Sequence, residues 1–207
     1  GPVSADFDFS GDGNMEGEIN WTKLSLPALA STYGFEMKGG GETTGRLDFS
    51  LTDGEVETMN GEGLFAVEKT ELFAVPMFGP LSPVISGVLG DKGAGFERAK
   101  SAFCNFQITD GVLSTGNFRT STKSLVFAGE GSLDLKERTL DMTMRLNARG
   151  FLGLITLPLR PFYGMFQFRG TGPLNDTEWE HVMFTSPDEE QKQLLMPPPK
   201  ATVVGGN

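Results

Sequence analysis

SLVFAGEGSLDLKERTLDMTMRLNARG, residues 124–150, alternates apolar and polar positions with little interruption. Leu125 and Phe127, then Leu133 and Leu135, then Leu140, Met142, Met144 and Leu146 fall on one side of an extended chain, with polar partners between them. Successive side chains of a strand point to opposite faces, so this period of two describes an antiparallel meander with one oily and one wet face. GEG at 129–131 and LKERT at 135–139 read as turns within it, as does TDG at 109–111 upstream.

Working outward, the same pattern recurs. VSADFDFSG at 3–11 sets Phe7 and Phe9 against Asp6, Asp8 and Ser10, and GDGN follows as a turn. MEGEINWTKLSL reads as a second strand, and GRLDFSLTDG as another carrying Leu47, Phe49 and Leu51 on one face. EVETMNGEGLFAVEKTELFAVP reads as two strands separated by NGEG as a turn or bulge, and Met165 to Gly170 as the last strand. LPALASTYG reads as a short helix, with Pro27 in its first turn and Gly34 as its stop. Residues 76–89 break the strand pattern: Met77, Leu81, Val84, Ile85 and Val88 lie at helical spacing. DKGAGFERAKS then reads as a polar loop. The expected fold is mostly β, a curved antiparallel sheet or half-open barrel with one or two short helices. Residues 1–184 read as one β domain and 185–207 as a Pro-rich, extended or disordered tail. The leading Gly1-Pro2 resembles a scar of tag removal, so the chain reads as a piece of a longer protein.

Chemistry is sparse. The 207 residues hold 17 Phe but one Cys and one His. Cys104, between Phe103 and Phe106, reads as a small buried hydrophobe, because a nucleophile needs a partner base and His181 stands far along the chain. Asp12, Asn14 and Glu16 imitate the start of a calcium loop, but Lys23 occupies the position of its required glutamate. No phosphate-binding glycine motif is read, since the glycines are assigned to hairpin turns. No metal, cofactor or active site is expected. The net charge of −10 resides wholly in residues 1–90, with 14 acidic against 4 basic residues; residues 91–207 carry 13 of each. That acidic half disfavours nucleic acid and anionic headgroups at long range. Residues 150–168 are the most apolar stretch, with Arg145, Arg149 and Arg169 around them, and Pro158 and Pro161 preclude a simple spanning helix.

The order of these pieces resembles the C-terminal region of the AsmA-like family, which includes large bacterial envelope proteins related to TamB and YhdP. The resemblance rests on GEGLFAVEKTELFAVP, the short apolar helix after it, Phe103, Phe106, Ile108, Asp110, Gly111 and Leu113, and then Gly129, Gly131, Leu133, Asp134, Leu135, Leu140 and Asp141. FRGTGPLNDTEWE looks like the family's ending. It covers about residues 60–180. The resemblance implies a periplasmic module of an inner-membrane-anchored parent. Its curled sheet would hold lipid acyl chains, for transfer between membranes or outer-membrane homeostasis. A phospholipid or other envelope lipid would be the partner, with membrane contact through the parent. On that expectation Phe127, Leu133, Leu135 and Met144 line the groove, and Phe151, Leu154, Ile155, Phe162 and Phe166 its mouth. Met77, Leu81, Ile85 and Val88 face inward from a capping helix. The rival expectation is a scaffold that docks an envelope protein through a sheet edge. A glycan-binding sandwich ranks last, because 2 Trp and 2 Tyr are few platforms.

Overall fold

The structure is a computed structural model that describes residues 1–32, 34, 36–37, 40–70, 78–89, 101–122, 125–148 and 166–195. Among the described residues ten strands form one antiparallel sheet in strict sequence order, from β1 at one edge to β10 at the other. The strands are β1 (Val3–Phe9), β2 (Asn14–Ser25), β3 (Glu42–Thr52), β4 (Asn60–Glu68), β5 (Ser101–Thr109), β6 (Val112–Ser121), β7 (Leu125–Asp134), β8 (Thr139–Ala148), β9 (Phe166–Pro173) and β10 (Glu178–Val182). The sheet is curved and does not close. Among the described residues three short α-helices accompany it: α1 (Leu26–Thr32), α2 (Leu81–Leu89) and α3 (Glu189–Leu195).

Local chemistry sets the connections. Asp110 and Gly111 both adopt positive φ, 47° and 74°, which is the two-residue turn whose twist suits a hairpin. Ser25 starts α1 by accepting the backbone N–H of Ala28 on its hydroxyl, and Gly34, at φ 78°, follows its end. Asp188 starts α3 by accepting the N–H of Gln191 at 2.8 Å.

Five sequence expectations change. The strand read in EVETM, before NGEG, is instead one 3-10 turn over Val56–Thr58. GEG at 129–131 lies inside β7, and NGEG at 60–63 begins β4, so neither is a turn. The reason at Gly63 is close approach: a Cβ there would stand 2.5 Å from the Phe106 ring. The strand at Phe166 is not the last, because EWEHV pairs with it as β10. Residues 189–195 of the expected tail are helical, and Gln191 and Leu195 are buried.

The apolar face of β5–β9 is the core. Ala102, Cys104, Phe106 and Ile108 alternate with exposed neighbours along β5. They join Phe118, Phe127, Met144, Leu146 and Phe168 beneath α2, whose Leu81 and Ile85 are fully buried. Phe78, just before α2, stacks on Phe118 at 5.5 Å and meets Trp179 of β10 at 6.2 Å. Among the described residues the polar face is covered at one place. There α3 packs on β6, β7 and β8 and buries Val126 and Ala128. Arg145, also on that face, is buried and ties the following chain down: its guanidinium donates to Gln167 Oε1 at 2.8 Å and to the Thr185 carbonyl at 2.7 Å.

Candidate functional site

The apolar face does not end where the core ends. Register carries it strand by strand from β5 to the β1 edge: Phe106 opposite Gly63, Gly63 opposite Leu47, Leu47 opposite Ile19, and Ile19 opposite Ala5. A parallel row runs through Ile108, Gly61, Phe49, Gly17 and Phe7. Helix α2 lies over the C-terminal half of the sheet, in contact with β10. Among the described residues the face is open over β1 to β3. Val3, Phe7 and Phe9 are 55%, 44% and 70% exposed, and Met15, Ile19, Trp21, Leu47, Phe49 and Leu51 are half-buried. Isolated exposed apolar residues are ordinary, but a contiguous apolar patch on three adjacent strands marks an interaction surface.

The patch is ordered by its own packing. Phe7 and Phe49 meet edge to face at 6.3 Å across Gly17. A Cβ on Gly17 would lie 2.7 Å from one ring and 2.8 Å from the other, so only glycine lets both aromatics lean inward. Trp21 Nε1 donates to Thr43 Oγ1 at 3.1 Å, which satisfies the indole N–H and fixes the ring.

The opposite face of the same strands is acidic. Asp6, Glu18, Asp48 and Glu62 stand in one cross-strand row, and Asp8 faces Glu16 in the next. Arg46 donates to Asp48 at 2.7 Å and to Glu18 at 3.2 Å. Hydrogen bonding to Arg46 holds the Asp48 carboxyl below the usual carboxylate range. Among the described residues no ion pair involves Asp6, Asp8, Glu16 or Glu62. An open furrow of about 700 Å³ lies along these carboxylates. Asp12, the residue that suggested a calcium loop, serves the β1–β2 turn: it accepts from Ser10 Oγ and from Asn14 Nδ2 at 2.9 Å.

The residues singled out in the sequence are dispersed. Phe127 and Met144 are fully buried within the core. Leu133, Leu135 and Phe166 are half-buried, the last two packed on the core margin. Leu81 and Ile85 face the core from α2. Met77, Phe151, Leu154, Ile155, Phe162 and the side chain of Val88 lie outside the described residues. Cys104 is buried, and that burial pushes its thiol up to about 11, away from the nucleophilic form. His181 sits on β10 with its ring edge-on to Phe168 at 5.8 Å. Among the described residues no group of three His, Cys, Asp or Glu is placed to hold a metal ion. The missed residues are Val3, Phe7 and Phe9, whose signal was the Phe-Asp alternation of β1 itself.

No protein-family model, curated protein or solved structure matches this chain.

Proposed function

We propose that this chain is a non-enzymatic lipid-binding module that shelters acyl chains on the open apolar face of β1–β3. The observation that carries the reading is the exposure of Val3, Phe7 and Phe9 on a face whose β5–β9 part forms the core. An acyl chain laid on this patch gains about 0.8 kcal/mol for each CH₂ removed from water, so a partial cover of several methylenes is enough for measurable binding. Helix α2 acts as the stop that closes the C-terminal half. The residue order that resembles the AsmA-like family supports placing such a module in the bacterial periplasm, in lipid transfer or outer-membrane homeostasis.

The test is native mass spectrometry of the chain purified without detergent, with solvent extraction of a parallel sample. Phospholipid should co-purify with the native chain. Phe7→Asp with Phe9→Asp should abolish retention with an unchanged circular dichroism spectrum, since both side chains are exposed. Equal retention by the double variant would place any bound lipid elsewhere. A lipid-free mass that persists after incubation with vesicles would remove the lipid reading altogether.

A further inference from the structure

The free edge of β1 completes the open patch on one side. In antiparallel pairs alternate residues turn both backbone groups toward the neighbour. Thr22 N–H donates to the Pro2 carbonyl at 3.1 Å, and Ser10 N–H donates to the Asn14 carbonyl at 2.9 Å. Even-numbered residues of β1 therefore face β2, and the register runs unbroken from Val3 to Phe9. It follows that Val3, Ala5, Phe7 and Phe9 turn their N–H and C=O groups outward, and no strand among the described residues covers them. A seven-residue edge without bulge or proline is a template for one more strand.

The two faces beside that edge specify the strand. On one side it meets Phe7, Phe9 and Val3, which call for apolar residues at alternate positions. On the other it meets Asp6 and Asp8, backed by Glu16, Glu18, Asp48 and Glu62, with Arg46, among the described residues, as the one cation paired into the group. Like charges opposite each other across strands are unfavourable, and opposite charges favourable. A second copy of this chain is disfavoured by the same rule. Its β1 edge presents Asp6 and Asp8, and its β10 edge presents Glu178 and Glu180 on the polar face.

We infer that the β1 edge is a docking site for an extended segment of a partner protein in which apolar residues alternate with lysine or arginine. The apolar side chains extend the open face by one row, and the basic side chains reach the acidic furrow. This holds whether or not the apolar face also carries lipid.

The probe is a fluorescein-labelled seven-residue peptide that alternates lysine with valine and phenylalanine, titrated by anisotropy against the full chain. Of three control peptides, one replaces lysine by glutamate and two methylate the backbone nitrogens of alternate residues in the lysine peptide, one for each of the two possible registers. The lysine peptide should bind about tenfold tighter than the glutamate peptide, as two or three cross-strand charge pairs imply. At least one methylated register should lose binding. Amide exchange should slow at Val3, Ala5, Phe7 and Phe9. Asp6→Lys with Asp8→Lys should reverse the preference. Absence of binding, equal affinity for the two charge forms, or binding indifferent to methylation in both registers would each overturn the inference. The last would reduce it to adhesion on an acidic surface. No lipid enters this assay, so its failure leaves the lipid reading untouched, and lipid retention in the native chain does not depend on its success.

Discussion

Replacing Phe127 by alanine, and in a separate chain Phe9 by alanine, tests whether the apolar face divides into a core half and a free half. Both side chains lie on the same face of the same sheet, and both are phenylalanine. Phe127 is fully buried and Phe9 is 70% exposed. A phenylalanine that buries about 200 Å² gains about 5 kcal/mol at roughly 25 cal/mol per Å². Truncation of a buried Phe costs about 3–5 kcal/mol by that transfer and by the cavity left behind. Phe9 buries about 30% of the same surface, and alanine keeps part of it, so its loss is about 1 kcal/mol or less. In a domain of this size each kcal/mol moves the melting temperature by roughly 2–4 °C. Thermal unfolding followed by near-ultraviolet dichroism should then fall by roughly 6–20 °C for Phe127→Ala and by roughly 4 °C at most for Phe9→Ala. A Phe127 shift no larger than the Phe9 shift would refute the reasoning: α2 would then not seal a packed core, and the C-terminal half would be open to ligands.

Three further outcomes follow from named contacts. Burial raises the Cys104 thiol to about 11, so the stability it contributes is complete below its unfolded value of about 8.5 and declines as pH rises toward the folded value. Cys104→Ala should remove that part of the alkaline slope, and maleimide should label native Cys104 far more slowly than the urea-unfolded chain. Arg145→Met removes charged hydrogen bonds to the Thr185 carbonyl and Gln167, a loss of about 2 kcal/mol in docking. Limited proteolysis within residues 183–195 should accelerate by roughly 30-fold, the equivalent of that energy, whereas an unchanged rate would show that α3 holds without the arginine. Arg169 donates to both Asp141 oxygens, at 3.0 and 2.8 Å, and holds that carboxyl below the usual range. Its stabilisation is present above an unfolded value of about 3.9 and is lost as pH falls through the depressed folded value. The difference in melting temperature between the native chain and Asp141→Asn should be small, because the pair is exposed, and should vanish in acid and in high salt.

Alternation was enough to read most strands of the sheet. DFDF, LDFSL and DMTMRL each show one apolar face, and each is a strand. Helices α1 and α2 were legible too, from Pro27 in the first turn and Gly34 as the stop in one and a four-residue spacing of Leu81 and Ile85 in the other. Glycine misled where its role is tertiary. Gly63 and Gly129 read as turns in isolation, and nothing local reports that Phe106 and Phe118 lean over them. Helix α3 was hidden because EEQKQLL has little apolar content and leads into prolines. Its signal lay elsewhere, in LVFA at 125–128, four consecutive apolar residues that require cover on both faces. The open patch was legible as an amphipathic strand but not as a site. Whether an apolar face is covered depends on where α2 lands, which is a property of the whole sheet.

The unbroken sequence order of the strands has a consequence for growth and loss. Every ladder joins a strand to its immediate successor, so no ladder skips a strand, although long connections precede β5 and β9. Such a sheet behaves as a one-dimensional array, in which a unit's stability depends on its neighbours alone. A hairpin gained or deleted beside β1 changes the length of the sheet while leaving α2, α3 and the core beneath them untouched. The short turns between β1 and β2, β5 and β6, and β7 and β8 keep the loop-closure entropy of those steps low, so these strands can pair one after another as the chain emerges during synthesis. Length is therefore the property of this architecture that mutation can alter at the lowest cost.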